Sequence, residues 1–293
     1  MTTFGDLVDD LESYLYSMGT TRDKVTTLAA PLSETDLTLV VADGGVLDRG
    51  IVQINDELVS VASVDKSTGV ASIHPWGRGD RGSSAVAHLA GERVTSAPRW
   101  PRARLKSELN SIILNLYPNL FAVRDAPQFN AAVNKVSYPL PNDAEGIVGI
   151  SYLPSGIPVY WQPINRYRFE RNHPTEGRAV TIYQPLQPGR PVHVTYRASF
   201  TEFTSEDQSL SALGVDERWR DLIRMGAAAK LILSIDPARL QVDSVEAGQR
   251  ALTVQPVQAT TVARQLTQLF QLRVQEERAR LLRDYPSLQI IQA

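Results

Sequence analysis

Apolar side chains in this 293-residue chain recur every three or four positions in some stretches and every second position in others, and the two rhythms alternate. Phe4, Leu7, Val8, Leu11, Leu15 and Met18 share one helical face, which predicts a helix over Thr3–Met18. Asp6, Asp9, Asp10 and Glu12 cover its other side, Thr3 can cap it and Gly19 stops it. A second helix opens at Trp100-Pro101 and runs to Tyr117, with Leu105, Leu109, Ile112, Ile113 and Leu116 as its stripe. A third, Val215–Ile235, carries Trp219, Leu222, Ile223, Leu231 and Leu233, with a run of small residues from Gly226 to Ala229. Asp236-Pro237 has the chemistry to begin a shorter helix. Thr260 or Thr261 caps a last helix to Tyr285, striped by Val262, Leu266, Leu269 and Phe270.

Between these lie two strand-rich blocks. In the first, Leu37–Val41 reads as a strand, and Ile51–Ile54 and Leu58–Val61 read as a hairpin about Asn55-Asp56. A second hairpin pairs Ser60–Val64 with Val70–Ile73 about Asp65–Gly69. In the second block the candidates are Gly146–Tyr152, Val159–Gln162, Arg166–Glu170, Ala179–Tyr183 and Val192–Phe200. Val192, Val194 and Tyr196 alternate with His193, Thr195 and Arg197, as in a half-buried antiparallel strand.

Amphipathic helices from distant parts of a chain bury their stripes against one another or against partners. The economical expectation is an α+β fold. A helical bundle (1–19, 101–118 and 215–293) carries two inserted antiparallel β domains, a small one over 36–98 and a sandwich or barrel over 132–203.

Composition narrows the function. With 30 basic and 32 acidic residues the net charge is −2, so no overall positive field draws the chain to nucleic acid. The chain contains no cysteine, which removes disulfides, thiolate metal sites and cysteine nucleophiles. The first ten residues are acidic, unlike a signal peptide, and no apolar run approaches the roughly 20 residues that span a bilayer. A soluble protein made in a cytoplasm is the expectation.

Candidate chemistry is sparse. Gly77-Arg78-Gly79-Asp80-Arg81-Gly82 matches the dinucleotide fingerprint in letters, but hairpins surround it where a βαβ unit is needed. It reads instead as an exposed turn, which also contains the tripeptide Arg78-Gly79-Asp80. His74, His88, His173 and His193 show no ligand spacing, and no nucleophile elbow or P-loop is present. The expectation is no enzyme, no catalytic residue, no metal and no cofactor. The last helix becomes dense in charge from Arg273 through Glu276, Glu277, Arg278, Arg280, Arg283 and Asp284. Glu276–Arg280 and Arg280–Asp284 could support it as a solvated face, or its arginines could dock on an acidic partner.

Two segments resemble known proteins. Arg81-Gly82-Ser83-Ser84-Ala85-Val86-Ala87-His88-Leu89-Ala90-Gly91-Glu92-Arg93-Val94, preceded by a hairpin with Asp56-Glu57, resembles a stretch that closes a small β domain in tailed-phage structural proteins. Arg278-Ala279-Arg280-Leu281-Leu282-Arg283-Asp284-Tyr285-Pro286 is similar to the C-terminal end of head-to-tail connector (adaptor or neck) subunits, and the alanine-rich helix Asp216–Leu233 to their bundle helices. The resemblance implies a virion protein of the neck, working by assembly. Its partners would be about twelve copies of itself in a closed ring, the portal protein, and other neck or tail proteins. Genome DNA would pass through the lumen without sequence-specific binding, and no membrane is involved. Portal docking would fall to Arg273, Arg278, Arg280, Arg283, Tyr285, Leu288, Ile290 and Ile291. The alternative is a baseplate or tail protein that binds a receptor or glycan through Tyr152, Tyr160, Trp161 and Tyr167, although aromatic residues at strand positions are more often core.

Overall fold

A computed structural model describes residues 2–17, 23–155, 160–233 and 256–286, the side chains of 256–260 aside. They fall into two compact units, Leu7–Leu109, and Met1–Asp6 with Asn110–Ala293.

The first unit is built on strands β1 (Lys24–Thr27), β2 (Thr38–Val40), β3 (Gly50–Ile54), β4 (Glu57–Asp65), β5 (Val70–Ile73) and β6 (Arg93–Ser96). They form one antiparallel sheet in the order β1-β6-β3-β4-β5-β2. The two predicted hairpins are its centre: Ile54 pairs with Glu57 across Asn55-Asp56, and Asp65 pairs with Val70. Leu39, Val52, Ile54, Val59, Ala71 and Val94 fill the core. Helix α1 (Phe4–Ser17) starts with a reciprocal cap, in which the Thr3 amide donates to Asp6 and the Asp6 amide to Thr3 Oγ1, at 2.8 and 3.1 Å. Helix α2 (Arg102–Asn115) follows Pro101, whose carbonyl accepts from the Arg104 and Leu105 amides. Its first turn is tied down by the Arg102 amide on Gln53 Oε1 at 3.2 Å and by Lys106 on Asp56.

The second unit carries two antiparallel sheets. Strands β7 (Ala122–Asp125), β8 (Phe129–Asn130), β10 (Ala144–Tyr152), β11 (Gln162–Pro163) and β14 (Pro191–Ala198) form a five-stranded sheet, in which β10 and β14 are the centre. β9 (Ser137–Pro139), β12 (Tyr167–His173) and β13 (Gly177–Ile182) form a three-stranded one. The alternation read in β14 holds: Val192, Val194, Tyr196 and Ala198 are buried, and the residues between them are half-buried. Helix α3 (Arg220–Leu233) packs along α4 (Pro256–Asp284), and Gly226 makes this possible. A Cβ there would stand 2.9 Å from the Phe270 ring and 3.3 Å from Ile112.

The expected helical bundle with inserted β domains is not what forms. Three antiparallel sheets dominate the described residues, and the four described helices do not make one bundle. The stripes of α1 and α2 are buried as read, with Leu7, Leu11, Leu105, Leu109 and Ile113 all inaccessible, whereas Leu233 at the end of α3 is exposed. Their cover is different. Phe4 stacks on Phe203, a loop residue, at 4.8 Å between ring centroids. Asn110 clamps the backbone of the same residue, donating to its carbonyl and accepting from its amide, both at 3.0 Å. Helical periodicity reports that a face is buried and is silent about what buries it. The stripe on α4 is also rotated from the one predicted. Ala263, Leu266, Val274 and Glu277 are buried, whereas Val262 and Leu269 are exposed. The strand predicted at Val159–Gln162 begins only at Gln162, so Tyr160 and Trp161 lie ahead of it. The helix expected after Asp236-Pro237 lies outside the described residues.

Candidate functional site

In the first unit, the segment from His74 to Glu92 contains little regular structure, yet it is pinned at its middle by one side chain. Glu57, at the start of β4, is 1% exposed. Arg78 meets it with a fork, Nε to Oε1 at 2.7 Å and Nη2 to Oε2 at 3.0 Å. The amides of Gly79 and Val86 donate to it at 3.0 and 3.2 Å, and His88 Nε2 stands 2.9 Å from Oε2. The other ring nitrogen of His88 lies 2.8 Å from Glu92, which also accepts from Asn55 at 2.7 Å. Arg78 further donates to the carbonyls of Ser33, Asp36 and Val86. Burial pushes the Glu57 carboxyl up. The donors of Arg78, His88, Gly79 and Val86 outweigh that and hold it below the ordinary value.

This arrangement explains the glycine pattern. Gly77 stands so close to the Ser60 carbonyl that a Cβ would reach 2.5 Å from it. Gly79 has φ of 62° and presents its amide to Glu57. The segment is therefore a buried polar clasp. Arg78, read from sequence as part of an exposed turn, is directed inward with its side chain 7% exposed. The cluster contains an acid, a base and a histidine, but Glu57 and His88 are sealed from solvent, and this geometry gives a substrate no access.

The second unit holds an open feature. A cleft of about 290 Å³ lies where the end of α4 meets the turn ahead of α3. Phe121, Val215, Trp219 and Leu281 supply its apolar lining, and Asp216, Arg218, Glu277, Arg280 and Asp284 its charges, with Tyr285 at one end. Asp216 caps the turn by accepting from the Arg218 amide, and the same carboxylate receives the Arg218 guanidinium at 2.6 and 2.9 Å. That ion pair lowers Asp216 and raises Arg218. Glu277 is 3% exposed, with Arg280 at 3.2 Å and Arg273 at 3.7 Å.

The residues expected to dock separate into groups. Arg273 and Arg280 are engaged within α4, Arg273 also with Glu276 at 2.8 Å. Two helical pairs form at three-residue spacing, Arg273–Glu276 and Glu277–Arg280, and one at four, Arg273–Glu277 in place of the expected Glu276–Arg280. Arg278 reaches Asn119 Oδ1 at 3.4 Å. Arg283 is 77% exposed in its side chain and only 3.7 Å from Asp284, and Tyr285 is 39% exposed. Leu288, Ile290 and Ile291 lie outside the described residues. Of the glycan-binding candidates, Tyr152 pairs with Gln162, which directly follows Tyr160 and Trp161, while Tyr167 lies in the three-stranded sheet. Tyr160 and Trp161 are exposed, Tyr152 pairs with Val192 in the ladder, and Tyr167 is half-buried on β12, where desolvation raises its hydroxyl. Asp216, Arg218 and Trp219 were missed as cleft residues. The sequence marks them as a helix start and gives no sign that the end of α4 returns to it.

Among the described residues no group of histidine and carboxylate side chains could hold a metal ion, and no helix is long and apolar enough to cross a membrane. No family model and no curated protein matches the chain. Among solved structures, a chain in the neck of an empty GTA particle computed with C6 symmetry is similar at 17% identity. It covers 46% of this chain and 68% of that chain, with a TM-score of 0.20. A likeness at that score carries no argument about this fold.

Proposed function

We propose that this chain is a structural subunit of the neck of a tailed phage or phage-like particle, where it assembles as a closed ring below the portal around the DNA channel. The observation that carries the reading is the form of α4. Its 29 residues bury one stripe and leave Val262, Leu269, Leu272 and Leu282 exposed, and it ends in a charged cleft beside Arg283 and Tyr285. Exposed apolar residues beside exposed charge suit a helix that completes its packing against another protein. The likeness of Arg278–Pro286 to connector C-termini falls on this same end, and that of Arg81–Val94 falls on the clasp that closes the first sheet. The mechanism is geometric: copies associate through the uncovered face of α4, and its charged end meets the portal. A near-neutral net charge fits a lumen that must let DNA slide, because a basic wall would hold it through phosphate contacts.

Locating the chain in a particle reconstruction tests the reading. A closed ring at the neck is expected, and a single asymmetric copy or a threefold spike would sink it. A sharper test is the double variant Arg283→Glu, Tyr285→Ala. It should retain the parent melting temperature and fail to join heads. Normal occupancy of heads would rule out this end of α4 as the docking surface.

A further inference from the structure

We propose that the outward face of the five-stranded sheet, centred on Gly149, is a saccharide-binding surface. This does not depend on the neck reading and rests on different residues. Cross-strand partners share a face. His193 pairs with Ser151, and Thr195 pairs with Gly149 on one side and Asp125 on the other. These five residues therefore lie together on the face opposite buried Val192, Val194 and Tyr196.

The surface has a floor, a wall and polar groups. A Cβ at Gly149 would meet nothing within 4 Å, so the face of the sheet is open there and its backbone can be approached closely. Trp161, which precedes β11, stands edge-on to His193 at 6.0 Å between centroids and is 42% exposed. Thr195 Oγ1 donates to Asp125 Oδ1 at 2.8 Å, and His193 Nε2 stands 3.4 Å from the same oxygen. Those contacts hold the carboxylate through Oδ1, and His193 and Ser151 stand beside it on the same face.

The chemistry selects the ligand. A pyranose presents a C–H face that packs on an indole, and a rim of hydroxyls that both donate and accept. An oriented carboxylate oxygen takes a sugar hydroxyl through a charge-assisted bond, and imidazole and serine take its neighbours. The same carboxylate repels phosphate, which excludes nucleic acid at this face. Arg197, the basic residue next along the outward register, has its guanidinium laid against Gly146.

The test is a titration of the intact protein with chitotriose, cellotriose and maltotriose, followed by the indole N–H resonance of Trp161. At least one should give a saturable shift at millimolar concentration. Trp161→Ala and Asp125→Asn should each weaken it about tenfold, and Gly149→Val should abolish it by standing a side chain on the open face where the sugar lies. All three variants should melt like the parent, since the changed side chains lie on an open face. No shift with any of the three sugars would overturn the proposal, and so would a shift that survives Trp161→Ala. Burial of this face against another particle protein, with no sugar response, would assign it to that protein.

Discussion

Two buried glutamates carry the polar structure of this protein, and they are solved in opposite ways. Glu57 receives five donors from four residues, two from Arg78 and one each from Gly79, Val86 and His88, none longer than 3.2 Å. Glu277 has two arginines at 3.2 and 3.7 Å, both on its own helix and both 40–45% exposed. The first carboxylate is closed by its own unit. The second is held by half-exposed arginines of its own helix, beside a cleft open to another molecule. A buried charge with a complete shell stabilises a fold, whereas one with an open shell on an exposed cleft is disposed to meet a partner.

The largest effect should come from breaking the closed shell. Glu57→Ala leaves the Arg78 guanidinium and His88 without their acceptor and should cost about 3–5 kcal/mol in denaturant unfolding. If the loss were below about 1 kcal/mol, the contrast with Glu277 would disappear. Arg78→Lys keeps the charge but loses the planar fork and several carbonyl contacts, and should cost about 1.5–3 kcal/mol. Gly226→Ala tests packing without charge. Its methyl enters the Phe270 ring and should cost about 1–3 kcal/mol, despite alanine's better helix propensity. Glu277→Gln should cost under about 1 kcal/mol in the isolated protein, because its arginines are screened by water, and should show its main effect on attachment to heads.

Acid sharpens the comparison. Because the folded Glu57 carboxyl lies below its ordinary value of 4.5, its contribution is complete above that pH and is lost as pH falls through the lower folded value. Stability measured between neutral pH and pH 3 should fall on the acid side in the parent. Glu57→Gln should start lower and fall less steeply. Parallel curves would mean that Glu57 does not titrate differently in the two states.

Much of the local structure was legible. The turns at Asn55-Asp56 and Asp65–Gly69, the alternation in β14 and the buried faces of α1 and α2 all follow from short-range pattern. What pattern could not supply was the identity of the cover. Phe203 stacks on Phe4 from about two hundred residues away, and β1 finds β6 about seventy residues away, pairings that no local rhythm encodes. The clasp was half legible. Its glycines mark a turn, and Glu57 and His88 fall in the segment that resembles phage proteins, but the sequence reads Arg78 as exposed, because composition cannot tell an arginine in water from one facing a buried acid. Of the Asp125–His193–Trp161 face the sequence singles out only Trp161, because it takes the register of β7, β10 and β14 to bring the others to it.

The clasp also sets how the first unit can come apart. A connection as long as that from β5 to β6, with so little regular structure, would ordinarily open on its own and expose its amides without disturbing the sheet. Here the amides of Gly79 and Val86 end on a carboxylate seated at the start of β4, so they cannot be released without uncovering a charge in the core. The connection and the sheet should therefore behave as one cooperative unit. In native-state hydrogen exchange, these two loop amides should exchange as slowly as those of β3 and β4.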